Sequence, residues 1–441
     1  MSPAPRLGSG AGRVGRRAVL VTLTTAFGAA ALGRIPYGGR VRLKVPWGLA
    51  SVDPHALDDP AAALFADAIA DPLYALDASG QPYPTLAAEL PSRVSRGALV
   101  RLRPYLNTAH GLALDARDLL FSIARSRARA GVCVLSPFAD PVPARDDGLA
   151  VVFPGADPDA LALALSSPVT ALLPRKFSPA RPDGTGSFAA EVGSGRLTLT
   201  RNTRAARGAA YLSRIEVSRA RDMADALRSF EVGDVDVGWL GPGLHRPRPG
   251  AWSFLAGRLG WVILRTGAQA REWGAPGVAQ RLLDGIGAAR LKHLGLHRVP
   301  PARGTSAWGG PPGEILVADD AAHLTEIART LAGHLSQPGH EVRAAPRSPR
   351  VVREAAQNGR FLLLLDFVRP LGPTNEHMLL ALLAAADPRL AQRPPKLETG
   401  DPRLVAQTLP FGVVGELYIE GAHVPQLHGV DGWVLGALWF G

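Results

Sequence analysis

Short runs in which apolar and polar residues alternate recur along the chain and predict half-buried strands. In the first run, Val41, Leu43 and Val45 fall on one face, while Arg42 and Lys44 fall on the other. The same alternation recurs at 100–103, 197–200, 215–217 and 235–239. Several short strands of this kind predict a sheet with one face in the core and one face in water.

Stretches with helical spacing separate these strands. Residues 115–127 carry an apolar stripe formed by Leu119, Leu120 and Ile123, and residues 224–230 form a second stretch of this kind. Because strands and helices follow one another throughout the chain, the pattern predicts a mixed α/β class.

A βαβ unit is predicted in the last third of the chain. The apolar residues 315–317 form a short strand, Asp319-Asp320 suit a helix N-cap, and residues 324–335 follow at helical spacing. A further strand begins at Val342, and the apolar run 361–365 is typical of a strand buried on both faces. Such a unit pairs its strands in parallel and predicts a second lobe.

Residues 1–34 are predicted to be an export signal. A basic start containing Arg16-Arg17 precedes an uncharged, mostly apolar run over 18–32, which ends in small residues. This run is shorter than the ~20 residues needed to span a bilayer, so we expect cleavage rather than anchoring. The segment 15–20 resembles the twin-arginine export motif, and no cysteine follows the apolar run for a lipid anchor. The expected location is the periplasm or the outside of the cell.

Composition narrows the class of partner. The chain has 441 residues, of which 46% are hydrophobic and 20% charged, so it is globular and long enough for two or three domains. Its 49 basic and 38 acidic residues give a formal net charge of +11. The basic residues are scattered, whereas a nucleic-acid-binding protein usually concentrates them on one element with interleaved aromatics. We therefore expect an arginine-rich, solvated surface and no nucleic-acid partner.

The residues that most often carry chemistry do not form a recognisable set. Cys133 is the only cysteine, which excludes an intrachain disulfide. His293 and His297 could share a helix face, but no carboxylate or thiol stands beside them at ligand spacing. The sequence also lacks a G-x-S-x-G elbow, an H-E-x-x-H helix and a phosphate-binding loop. We therefore expect no metal site and no other cofactor. We also expect that the protein is not an enzyme.

Six short motifs follow one another in a characteristic order. They are Ser51-Val52-Asp53-Pro54-His55, then Asp71-Pro72-Leu73-Tyr74 with Pro84-Thr85-Leu86-Ala87, then Leu114-Asp115-Ala116-Arg117-Asp118-Leu119-Leu120-Phe121-Ser122, then Asp183-Gly184-Thr185-Gly186-Ser187-Phe188, then Asn202 with Tyr211-Leu212, and Gly233-Asp234-Val235-Asp236-Val237. In this order they resemble the family 5 extracellular solute-binding proteins, the dipeptide, oligopeptide and nickel receptors of ABC importers. The resemblance runs through most of residues 40–440.

The resemblance implies a two-lobed fold like that of the periplasmic binding proteins, of type II and similar to cluster C, with a hinge and an interlobe cleft. Lobe one is then expected to comprise residues 35–240 with a returning segment 405–441, and lobe two residues 241–404. The implied partners are a small-molecule or peptide ligand and the permease subunits of an ABC transporter. The protein is expected to be a monomer.

The resemblance also points to ligand contacts. The family usually carries a Trp and then an Asp on the cleft-lining strand of lobe two, and this Asp holds the α-ammonium of a peptide. The matching positions are Asp366 and Arg369, and a cation at the second would repel an ammonium group and attract an anion. If the alignment slips, Asp366 is itself the anchor. Trp239 is the third predicted contact, whereas Gly184-Thr185-Gly186 are expected to shape a turn. The alternative is that Asp366 and Arg369 are solvated loop positions.

Two functions from different classes follow. The first is an exported receptor that binds a peptide or another small polar or anionic solute in the cleft. The alternative is a degenerate scaffold that keeps the fold without transport and acts as a sensor or partner-binding protein. A cleft with convergent polar groups favours the receptor, and a cleft plugged by arginine side chains favours the scaffold. An unknown hydrolase is a third reading, which requires a nucleophile and a base within hydrogen-bonding reach in the cleft.

Overall fold

The computed structural model describes residues 35–239, 248–297, 299, 303–304, 307–372, 375–386, 390 and 402–441. In chain order its strands are β1 (Arg40–Val45), β2 (Tyr74–Leu76), β3 (Pro82–Pro84), β4 (Ser92–Val94), β5 (Gly97–Arg101), β6 (Val142–Pro143), β7 (Ala150–Pro154), β8 (Phe188–Gly193), β9 (Arg196–Arg201), β10 (Arg214–Arg219), β11 (Val237–Trp239), β12 (Trp252–Thr266), β13 (Gly313–Ala318), β14 (Val342–Arg347), β15 (Leu363–Val368), β16 (Phe411–His423), β17 (Leu427–His428) and β18 (Trp439–Phe440).

The helices are mostly short. In chain order they are α1 (Pro60–Ile69), α2 (Ala116–Arg127), α3 (Val132–Leu135), α4 (Pro158–Ala164), α5 (Met223–Glu231), α6 (Val278–Asp284), α7 (Ala288–Leu291), α8 (Ala322–Leu335), α9 (Pro349–Asn358), α10 (Asn375–Ala386) and α11 (Pro402–Ala406). None of the helices within the described ranges is long and apolar enough to span a bilayer. The predicted export signal, 1–34, lies outside the described residues.

The alternating runs form the strands that their pattern predicts. In β1 the residues Val41, Leu43 and Val45 are buried, and β9 and β10 repeat the same alternation of buried and accessible positions. Strand β5 (Gly97–Arg101) covers the first two residues of the run predicted at 100–103, and β11 is limited to three residues. Helix α2 begins after Asp115, whose carboxylate accepts hydrogen bonds from the amides of Arg117 and Asp118 in a capping box. The mixed α/β class is thereby confirmed.

The predicted βαβ unit is also present. Strand β13 pairs in parallel with β14 on one side and with β15 on the other, and α8 connects β13 to β14. The prediction that Asp319-Asp320 cap α8 is wrong. The N-cap residue is Ala321, and it makes no side-chain capping bond. The carboxylate of Asp320 lies instead against the backbone of a distant loop, which no local pattern reveals.

A ten-stranded sheet connects two groups of strands, in the order β14-β13-β15-β12-β16-β11-β1-β10-β9-β8. The long antiparallel strands β12 and β16 lie at its centre, and the bulges between them fall at Leu255/Gly257, Arg258/Gly260 and Val262/Ile263. We call the part containing β1 and β8–β11, with the small sheet β4-β5-β7-β6 and helices α1–α5, lobe one. The part containing β13–β15 and helices α6–α11 is lobe two. The predicted residue boundaries of the lobes remain predictions.

Two large apolar cores lie between the sheets and the helices that pack on them. One core lies along the main sheet and includes Leu43 and Val217 of lobe one together with Val317 and Leu331 of lobe two. The other core joins the small sheet of lobe one to Trp261 of β12, to β15 and to helix α10 of lobe two. Both cores therefore contain residues from both lobes.

Candidate interlobe binding site

A cavity of about 320 Å³ lies between the lobes. Its lobe-one wall is the loop that joins β1 to α1, and its lobe-two wall is formed by the segment after β13, one face of α9 and part of β15. The ionisable residues that line it are Asp53, Asp58, Asp59 and Arg129 from lobe one, with Asp320, Arg353 and Asp366 from lobe two. Carboxylates thus outnumber cations on both walls.

The lobe-one loop is held in place by a buried ion pair. The carboxylate of Asp53 accepts hydrogen bonds from both terminal nitrogens of Arg125, each at 2.8 Å, and Nη1 of Arg129 lies 3.1 Å from Oδ2. Burial opposes ionisation of Asp53, but these two arginines outweigh it and lower its pKa. This ion pair therefore anchors the loop that carries the next charged residues, Asp58 and Asp59.

Asp58 and Asp59 stand at the start of α1. The side chain of Asp59 caps the helix by accepting a 2.8 Å hydrogen bond from the amide of Ala61. Burial and the neighbouring Asp58 raise the pKa of Asp59 to about 7. Because ionisation of Asp59 is unfavourable in this position, a positive charge placed beside it would stabilise the ionised carboxylate.

Asp366 faces the cavity from the opposite lobe. On β15, its Oδ2 lies 3.4 Å from Nη1 of Arg265, and its Oδ1 accepts a hydrogen bond from the amide of Phe367 at 2.9 Å. Burial and the charge of Asp58 raise the pKa of Asp366 to about 6. Asp58 and Asp366 therefore repel each other across the cavity. The structure places the predicted contact Asp366 in the cavity wall, and its role in ligand binding remains a prediction.

The two lobes come into close contact at Gly48 and Asp320. Gly48 follows β1, and a Cβ atom at this position would overlap the carboxylate of Asp320. Beside them the amide of His323 donates to the carbonyl of Pro46 at 3.4 Å. Burial, followed by the charge of Asp319, raises the pKa of Asp320. Only a residue without a side chain permits this approach.

Arg369 lies beside the cavity rather than in its wall. Its side chain is 3% exposed, its amide donates to the carbonyl of Leu57 at 2.9 Å, and Nη1 donates to the carbonyl of Pro54 at 3.3 Å. Burial lowers its pKa, while Asp67 and other nearby carboxylates oppose that shift. As an anion contact Arg369 remains a prediction. The strand β11 ends at Trp239, but the side chain of Trp239 lies outside the described part of the chain.

The segment Gly184-Thr185-Gly186 has the structural role that was predicted. Thr185 donates a hydrogen bond from Oγ1 to Oδ2 of Asp71 at 2.8 Å, and both residues are buried. A Cβ at Gly184 or Gly186 would overlap the carbonyl oxygens of Ile69 and Ala68 at the end of α1. These three residues fix the position of α1, which carries Asp59 at its other end.

Sequence reasoning missed most of the acidic residues in this wall. Asp58 and Asp59 were not singled out, and Asp320 was interpreted as a helix cap. The available signal was the adjacent carboxylates at 58–59 and 319–320, each next to the start of a helix. Nothing in the local sequence says that these two segments face each other, because they belong to different lobes.

No known protein-family model and no curated protein sequence matches the chain. Solved structures do match it. The periplasmic binding protein DppA from Helicobacter pylori, in complex with the peptide STSA, superposes with a TM-score of 0.71 at 14% identity over 92% of this chain and 98% of that one. The oligopeptide-binding protein AppA from Bacillus subtilis, in complex with a nonapeptide, gives 0.68 at 13% identity over 92% and 100%. NikA from Brucella suis, in complex with Fe(III)-EDTA, gives 0.62 at 16% identity over 91% and 100%.

At these identities the likeness establishes the fold. The chain has the two-lobed α/β architecture of these binding proteins, and the predicted fold class is confirmed. The superpositions cover nearly the whole length of each protein, so both lobes and the strands between them are included.

Proposed function

We propose that the chain is an exported solute-binding receptor of the family 5 type, which encloses a small solute carrying a positive charge and delivers it to an ABC importer. The support is the shared fold, together with a cavity whose walls come from two lobes. A receptor of this kind needs a cleft with a few placed polar groups and no reacting side chain. The leader over 1–34 would direct its export.

The observation that carries the proposal is that both walls of one cavity present carboxylates. Asp58 and Asp59 belong to lobe one, whereas Asp320 and Asp366 belong to lobe two. A positive group between the walls is attracted by both lobes and relieves the repulsion between Asp58 and Asp366. A ligand that contacts both lobes favours their closed arrangement.

The charge of the wall favours a cation over an anion. Of the two arginines that line the cavity, Arg129 is paired with Asp53, and Arg353 is exposed at the edge. An anion would have to enter against the four carboxylates of Asp58, Asp59, Asp320 and Asp366. An ammonium group, such as the amino terminus of a short peptide, meets acceptors on both sides.

The volume favours a small solute. At about 320 Å³ the cavity lies at the lower end of the ~300–1,000 Å³ range of small-molecule sites. We therefore propose a dipeptide or another amine of similar size rather than a long peptide. The side chain of Arg369 is directed to the carbonyl of Pro54 and does not line the cavity. This arrangement favours the receptor over the scaffold plugged by arginine.

A ligand screen with matched chemistry tests the proposal. Thermal unfolding of the protein is measured with dipeptides, with the same dipeptides acetylated at the amino terminus, and with dicarboxylic acids. A ligand that binds only the folded state stabilises it by about 2.7 kcal/mol at a hundredfold excess over Kd. We expect stabilisation by the free amines, loss of that effect in Asp366→Asn, and its retention in the control Asp319→Asn. Equal stabilisation by free and acetylated dipeptides, or by dicarboxylic acids alone, would refute the proposed ligand class.

A further inference from the structure

The carboxylates of the cavity wall outnumber the cations that are placed to balance them. Asp58 and Asp59 line the cavity from lobe one, and Asp366 lines it from lobe two. Within the described ranges only Asp366 of these three forms an ion pair, in which Nη1 of Arg265 lies 3.4 Å from Oδ2. If all three carboxyl groups were ionised, two negative charges would therefore lack an ion-pair partner.

The arginines that line the same cavity do not remove this deficit. Arg129 is paired with Asp53 at 3.1 Å. Arg353 is exposed on α9, and its positive charge favours the ionised form of Asp320. In the part of the chain that the structure describes, neither arginine forms an ion pair with the three carboxylates named above.

Arg369 is a further cation beside the cavity, but its guanidinium is directed elsewhere. Nη1 donates to the carbonyl of Pro54 at 3.3 Å, and Nη2 lies 3.9 Å from a carboxylate oxygen of Asp67. The charge of Arg369 favours ionisation of Asp59, but burial and the charge of Asp58 outweigh it. Asp59 therefore has a pKa of about 7 despite this arginine.

Few hydrogen-bond donors stabilise the ionised forms. Asp59 accepts a hydrogen bond from the amide of Ala61 at 2.8 Å, and Asp366 accepts one from the amide of Phe367 at 2.9 Å. Burial and the charge of Asp58 nevertheless raise the pKa of Asp366 to about 6. Buried carboxyl groups that face like charges bind protons near neutral pH. The wall is therefore suited to hold either a proton or another positive charge.

We propose that a cationic solute and a proton compete for this cavity, so that binding of the solute releases a proton from Asp59 or Asp366 and acidification displaces the solute. The O–H bond of a carboxyl group breaks, the proton passes to water, and the remaining carboxylate pairs with the ammonium group of the solute. The inference rests on the proposed function, because it requires an amine in the cavity.

The exchange predicts that affinity increases with pH. An ordinary carboxyl group, with a pKa of about 3.9, is ionised above pH 5 both before and after binding and gives no such dependence. Each proton released on binding contributes a change in Kd of up to about tenfold per pH unit. Up to pH 7 the amino terminus of a peptide, with a pKa of about 7.7–8.0, remains mostly protonated. The dependence below pH 7 therefore arises in the protein.

Isothermal titration calorimetry counts the released protons. The free-amine dipeptides of the ligand screen are titrated into the full chain at pH 6.5, in buffers that differ in their enthalpy of ionisation. We expect release of about 0.5–1 proton for each dipeptide bound, and a Kd that is about 3–10-fold lower at pH 7.0 than at pH 5.5. Asp59→Asn, in which asparagine can still cap α1, should lose more than half of the release. The control Asp319→Asn should retain it.

The outcomes distinguish this inference from the proposed function. Binding of a dipeptide without release of protons, with the same Kd at both pH values, would overturn the exchange and leave the receptor function in place. Absence of binding by every free-amine dipeptide would refute the proposed ligand class, and the exchange with it. Release that is undiminished in Asp59→Asn would show that the proton comes from outside this wall or from Asp366 alone, and would overturn the role given to Asp59.

Discussion

The boundary between the lobes contains two regions of opposite chemistry. In the first region, which we call the seam, Leu382 and Leu383 of α10 in lobe two share one core with Val134 and Leu135 of α3 in lobe one, and both leucines of α10 are inaccessible to solvent. In the cavity wall, Asp59 and Asp366 face a shared space with pKa values raised to about 7 and about 6. Apolar burial in the seam favours contact between the lobes. In the cavity wall, burial and the repulsion between carboxylates disfavour their ionised forms.

This difference in chemistry suggests different roles: the seam contributes to stability, and the cavity wall suits binding. Apolar burial in the seam stabilises the closed arrangement at any pH in the neutral range. Carboxylates crowded in a wall destabilise it, because burial and like charge both disfavour the ionised form. A chain gains no stability from such a wall, so its presence fits a binding role.

The largest effect is expected in the seam. Leu382→Ala removes a fully buried side chain and leaves a cavity, which lowers the free energy of unfolding by about 2–5 kcal/mol. Urea denaturation followed by circular dichroism measures the change. The control Leu404→Ala, at a side chain that is 47% exposed, is expected to change it by less than about 1 kcal/mol. Similar losses in both variants would contradict the idea that the seam is a packed core.

The sequence predicts the elements on either side of this boundary better than the boundary itself. The alternation of Val41, Leu43 and Val45 is enough to identify β1, because the side chains on one face of the strand are buried and those on the other face are accessible. The β13–α8–β14 unit follows from periodicity for the same reason. Where buried and accessible positions alternate along a single strand or helix, the period of the pattern carries the information.

The contacts between lobes are different, since they join segments that are far apart in the sequence. Nothing near Gly48 indicates that it must lack a Cβ to accommodate Asp320, and nothing near Arg369 indicates the carbonyl of Pro54. Helix α10 was not predicted, although its residues 379–386 are all leucine or alanine. A helix that is apolar all round is buried on several sides, and this signal pointed to the seam.

Gly48→Ala is expected to have the next largest effect. The added methyl group overlaps the carboxylate of Asp320, so the lobes must separate slightly or Asp320 must turn away, at a cost of about 1–3 kcal/mol. Thermal or urea unfolding measures the loss. In the double variant with Asp320→Ala the cost should largely disappear, as a double-mutant cycle would show. An equal cost in both backgrounds would place the strain within lobe one.

The cavity wall should make stability depend on pH. Because burial and Asp58 raise the pKa of Asp366 from 3.8 to about 6, the folded protein holds a proton there that the unfolded chain releases between about pH 4 and 6. The contribution of Asp366 to the free energy of unfolding therefore increases as pH falls from 7.5 to 4. His55 acts in the opposite direction, since burial lowers its pKa to about 4. The informative quantity is consequently a difference between variants.

Asp366→Asn isolates that contribution. Relative to the unchanged chain, the variant should gain on the order of 1–2 kcal/mol at pH 7.5 and little at pH 4, because the unfavourable ionised form is absent. Urea titrations at the two pH values measure both differences. A gain that is the same at both pH values would contradict the assignment of the effect to ionisation. The same substitution removes a carboxylate from the proposed cation site, so greater stability should accompany weaker binding.

The smallest effect on stability is expected at two adjacent carboxylates of lobe two, only one of which lines the cavity. Asp319 is exposed and does not line the cavity, whereas Asp320 lines it and has a pKa raised by burial and by Asp319. Asp319→Asn should change the free energy of unfolding by less than about 0.5 kcal/mol and leave the binding of a free-amine dipeptide unchanged. Asp320→Asn should change stability only slightly and weaken that binding several-fold, as measured by isothermal titration calorimetry. If the two substitutions weakened binding equally, the net charge near the cavity would explain the attraction of the ligand. The position of the Asp320 carboxylate in the cavity wall would then not explain it. A loss confined to Asp320→Asn would instead assign recognition to the carboxylate that touches the opposite lobe.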